Sequence, residues 1–156
     1  MNADRVNSWL TLGANIGVLI GIILLLVELD QNRDLTRAQL HQDRSDAWVA
    51  NRFARADSEF LSPILAKVYA AGFPENIEAM DGLSPVELSR MHDLFGAFAG
   101  DYDNLYFQYQ RGYLDEEFYK KRIEPSIRSM APWWEKFGIS EPYLETAIKR
   151  MHERGE

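Results

Sequence analysis

Polar and apolar residues divide this chain into two regimes. From Trp9 to Val27 it reads WLTLGANIGVLIGIILLLV, with no charged residue and only Thr11 and Asn15 as polar side chains. As an α-helix these 19 residues rise about 28 Å, close to the ~30 Å hydrocarbon core of a bilayer. A single segment can satisfy its backbone polar groups in lipid only as a helix. The pattern therefore predicts a transmembrane anchor over residues 1–28. A cleaved signal peptide would have a shorter apolar core and a small-residue cleavage site; this run ends in Val27-Glu28-Leu29-Asp30-Gln31, without an Ala-x-Ala-like site. After it, apolar residues recur every three or four positions and no run alternates with period 2. The fold class read from the pattern is all-α: one N-terminal transmembrane helix continuing into a long helix, then a small soluble helical bundle.

Residues 28–57 contain neither proline nor glycine, so the helix is expected to continue out of the anchor. Its apolar stripe is thin between 30 and 46 and improves from Ala47. The segment 29–57 reads as a stalk, or alternatively as one wall of a bundle or a seam between protomers. Residues 58–156 form the bundle, and 29–156 together the soluble domain. Asp57-Ser58 offers an N-cap to a helix carrying Phe60, Leu61, Ile64, Leu65, Val68 and Tyr69, closed by Gly72. Ser84-Pro85-Val86-Glu87 is a capping box that opens the core helix of the domain. Leu88, Met91, Phe95, Phe98, Tyr102, Leu105, Tyr106 and Tyr109 hold its helical period to Gly112. Asp115 caps the next helix, which Pro125 is expected to kink or end near Glu124. Pro132 is expected to open a short segment over 133–137, and Ser140 to cap a last helix bearing Tyr143, Leu144, Ala147, Ile148 and Met151.

Gly13, Gly17 and Gly21 repeat every four residues inside the apolar run. Such a doubled G-x-x-x-G lets two helix backbones approach closely in lipid. With Asn15, polar at shallow depth, it predicts association with a second copy or a membrane-protein partner. The plain alternative is that glycine is common in membrane helices. Gly96 and Gly100 repeat the spacing in the core helix and suggest close approach of another helix there, or mere tolerance.

Composition narrows the partners. A net charge of −7 opposes nucleic acid, whose phosphates need clustered Lys and Arg. The expected partners are the lipid bilayer and another copy or membrane protein. Arg5 precedes the span whereas Arg33, Arg37 and Arg44 follow it, which favours a cytoplasmic carboxyl side. The chain has no cysteine, so disulfides, thiolate nucleophiles and thiolate metal sites are excluded. His41, His92 and His152 lie in no metal-binding motif, and no nucleophile elbow or phosphate loop occurs. Asp101, Asp103 and the His92-Asp93 pair are the only candidate acid–base groups, and the helical phase favours a solvated face or a bond from a tyrosine hydroxyl. No catalytic, cofactor-binding or metal residue is assigned, no cofactor is expected, and the reading is of a non-enzyme.

Ten aromatic residues crowd the interval 102–137. Tyr102, Tyr106, Tyr109, Trp133 and Trp134 are the candidate docking or pocket residues, because Tyr and Trp set an apolar body beside a polar tip. The bland alternative is a core of large side chains. Adjacent Trp133 and Trp134 are expected to point apart, one inward and one toward a neighbour or the membrane interface.

The chain resembles a broad group of uncharacterised bacterial proteins. The likeness rests on the span leading into Val27-Glu28-Leu29-Asp30-Gln31-Asn32 and Leu35-Thr36-Arg37-Ala38-Gln39. It continues through Tyr102-Asp103-Asn104-Leu105-Tyr106-Phe107-Gln108-Tyr109-Gln110-Arg111-Gly112, Leu114-Asp115-Glu116-Glu117-Phe118 and Trp133-Trp134. The resemblance implies a single-pass protein of the bacterial inner membrane and carries no activity. The function expected is a membrane-anchored helical scaffold or interaction protein; the alternative is a small-molecule sensor or binding module with an aromatic-lined pocket.

Overall fold

The computed structural model describes residues 3–155, which are helical and turn structure without a strand. The elements are α1 Ala3–Ala56, α2 Leu61–Ala70, α3 Pro85–Gln110, the single turn α4 Glu116–Phe118, a π-helical turn Tyr119–Ile123, α5 Glu124–Phe137 and α6 Pro142–Glu153. The chain divides into two compact units that part between Asp43 and Arg44, within α1.

The first unit is the α1 helix up to Asp43. It contains a stretch long and apolar enough to cross a membrane, none of it buried within the protein. Thr11, one of its two polar residues, donates its hydroxyl to the Asn7 carbonyl at 2.9 Å. That bond satisfies the hydroxyl within the helix itself.

The second unit begins at Arg44, not at the end of the apolar run. The physical reason lies on α3. Arg44 donates to the Gln108 side chain, and the Arg55 guanidinium lies 5.1 Å from the Phe98 ring centre. Arg44, Asn51 and Arg55 are half-buried. Residues 44–56 thus serve as a wall of the bundle. Desolvation lowers the Arg44 pKa from its ordinary value.

The core of this unit gathers Ile64 and Val68 from α2, Met91, Phe95, Ala99 and Tyr106 from α3, Ile127, Trp133 and Trp134 from α5, and Leu144, Ala147 and Met151 from α6. The α3 set recurs at four- and seven-residue intervals, one face of a helix. The capping box is formed: Ser84 Oγ accepts from the Glu87 N–H, and Glu87 Oε2 accepts from the Ser84 N–H at 2.8 Å. Ser58 Oγ accepts from the Leu61 N–H at 3.0 Å, and Asp115 Oδ1 from the Phe118 N–H at 2.8 Å. Gly112 and Gly138 end their helices at φ 73° and 65°, a region that disfavours side chains.

Four expectations are corrected. Pro125 does not end its helix. The backbone widens into the π-turn Tyr119–Ile123, and Pro125 then sits in the first turn of α5, where its missing N–H costs nothing. Ser126 Oγ donates to the Arg122 carbonyl at 2.8 Å and satisfies part of the disturbed ladder. Pro132 lies inside α5 instead of opening a separate segment. Pro132 lies on the exposed side of α5, where a missing backbone N–H is not buried. Ser140 does not cap α6; its hydroxyl donates to the Glu145 carboxylate, and Asp103 of α3 caps the helix from across the bundle. Finally, Trp133 and Trp134 are both buried, at 0% and 1% exposure. Each indole N–H reaches a carbonyl at 3.0 Å: Trp133 that of Pro74, Trp134 that of Phe95. Side chains 100° apart on a helix can both be covered when the helix is packed on two sides. Here α3 covers one side of α5 and the 71–83 turns cover the other.

Candidate functional site

Two arrangements carry the residues singled out by the sequence. The first is the glycine face of α1. Gly13, Gly17 and Gly21 advance around the helix by about 40° per step, so they share one face. A Cβ added at any of the three meets nothing within 4 Å. Leu10 and Leu24 extend the same stripe at its two ends. The large apolar side chains from Trp9 to Val27 are exposed by 48–72%. Asn15 is two residues from Gly13 and from Gly17, about 200° around the axis. It therefore lies on the far side of the helix from the glycine face.

The second arrangement is the aromatic interval, which the structure splits into two groups. Trp133 stacks on Phe95 with ring centres 5.9 Å apart and meets Phe73 at 5.1 Å, while Trp134 meets Tyr102 edge-on at 5.6 Å. Tyr106 and Tyr109 instead gather around Tyr119. Tyr109 and Tyr119 stack with centres 4.0 Å apart, and Tyr106 lies 5.9 Å from Tyr119. Both groups of rings pack against the core between α3 and residues 113–137. The Tyr106 hydroxyl is buried without a hydrogen-bond partner. Such a group costs about 1–3 kcal/mol.

The π-turn sets Tyr119 and Glu124 facing inward beside those tyrosines. Glu124 is only 6% exposed, the one charged residue in the described core. Its Oε1 accepts from Arg154 Nη2, beyond the end of α6, at 2.5 Å, and Arg128 Nη2 lies 3.9 Å away. Burial raises the Tyr119 phenol pKa, and the Glu124 carboxylate raises it further. This group ties the end of α6 to α5 through an ion pair between the buried Glu124 carboxylate and the exposed Arg154 guanidinium. Sequence reasoning missed Glu124. Its only signal was position, one residue after Ile123 and three before Ile127 in an otherwise apolar period.

The acid–base candidates do not converge. Asp103 Oδ1 accepts from the Tyr143 N–H at 2.7 Å and the Leu144 N–H at 2.9 Å, so both of the first free donors of α6 share one carboxylate oxygen. Asp101 is exposed as a residue, with a carboxyl pKa raised by local desolvation. His92 is exposed, 3.7 Å from Asp93 and edge-on to Phe137. Among the described residues, no three His, Asp or Glu side chains are placed to hold a metal ion. Comparison of the chain with protein-family models, with curated proteins and with solved structures finds no match to any of them.

Proposed function

We propose that this protein is a single-span, membrane-anchored helical scaffold that self-associates through Gly13, Gly17 and Gly21. Its all-helical domain then faces the cytoplasm and presents itself to a membrane-protein partner or a second copy. The observation that carries the reading is the exposure of the run from Trp9 to Val27, which no other part of its unit covers. Side chains of that size shed about 1.5–3 kcal/mol each when removed from water, and lipid is the solvent that accepts a helix of this length. The open space around the three glycines leaves their backbone free to meet another helix. The bacterial inner membrane is the location that the family resemblance implies, and the arginine bias sets the orientation. The reading assigns no catalytic role.

Fractionation of lysed cells tests the anchor. The full-length chain should sediment with membranes, resist an alkaline carbonate wash and be released by detergent. An uncleaved chain left in the detergent-free supernatant overturns the proposal. Sedimentation equilibrium in detergent tests the glycine face: Gly17→Leu should shift the protein to monomer, and a wild type already monomeric at every protein-to-detergent ratio refutes self-association. Because the chain lacks cysteine, a single Glu153→Cys substitution reports orientation. An impermeant maleimide should label it only after spheroplasts are opened.

A further inference from the structure

We draw no further inference here: the strongest candidate, the exposed apolar patch of Trp48, Val49 and Phe53 on the last turns of α1, carries nothing because nothing in the structure shows what covers it.

Discussion

Replacing Asp103 with alanine removes the acceptor that holds the start of α6. Asp103 sits on α3, forty residues away in sequence, and its Oδ1 takes the Tyr143 and Leu144 N–H groups at 2.7 and 2.9 Å. Loss of an N-cap side chain costs about 0.5–2 kcal/mol. The charge of the cap adds about 0.3–1 kcal/mol against the helix dipole, and the two contributions overlap. Water can replace the bond at the exposed Tyr143 amide more easily than at the part-buried Leu144 amide. The expected loss is about 1.5 kcal/mol, equivalent to a fall in Tm of roughly 6–8 °C for a unit of this size. Urea unfolding of the full-length protein in detergent, followed by tryptophan fluorescence, measures it, since Trp133 and Trp134 are both buried in the same core. Amide exchange gives the local readout: protection at Tyr143 and Leu144 should fall about tenfold for each 1.4 kcal/mol. Asp103→Asn keeps an acceptor and loses the charge, so its cost should be about half. Ser140→Ala removes only a bond to an exposed carboxylate and should stay within about 0.5 kcal/mol. If Ser140→Ala destabilised the protein while Asp103→Ala did not, the assignment of the cap would be wrong.

Tyr106→Phe should stabilise the bundle by about 1 kcal/mol in the same urea assay, because it deletes a buried hydroxyl that has no partner; a loss of that size would instead reveal a water bound there. Gly96→Ala and Gly100→Ala should each stabilise α3 by about 0.5–1 kcal/mol, since an added Cβ meets nothing within 4 Å. A loss at either position would show that another helix approaches that face. Glu87, bonded to Lys67 and to the Ser84 side chain and N–H, has its pKa lowered from 4.5 to about 2. The depressed value means that its contribution is complete above pH 4.5 and disappears as pH falls toward 2. Acid titration of stability should therefore be steeper for the wild type than for Lys67→Met over that interval, and parallel curves would contradict it.

Hydrogen bonds that close within four residues were legible in the chain. Ser84 with Glu87, Ser58 with Leu61 and Asp115 with Phe118 each pair a side chain with a nearby N–H, so spacing alone reveals them. Glycine at 112 and 138 marks helix ends, where the backbone turns left-handed. The inward placement of Met91, Phe95 and Tyr106 followed from helical period. On the candidate site the reading was partial. It placed the three glycines on one face, yet grouped Asn15 with them, although two residues carry a helix more than halfway around its axis.

The run from Trp9 to Val27 determined by itself that this chain holds a helix with the length and apolarity to cross a membrane, because helix rise and side-chain transfer are local properties. Local caps and periods likewise determined an all-helical second unit. Tertiary structure alone decided that α3 caps α6 through Asp103 and that Trp133 and Trp134 are both covered. It also decided that Glu124 is buried beside Arg154. Each of these depends on which segment arrives from tens of residues away, and a one-dimensional pattern records what a helix face is made of but not what will be laid against it.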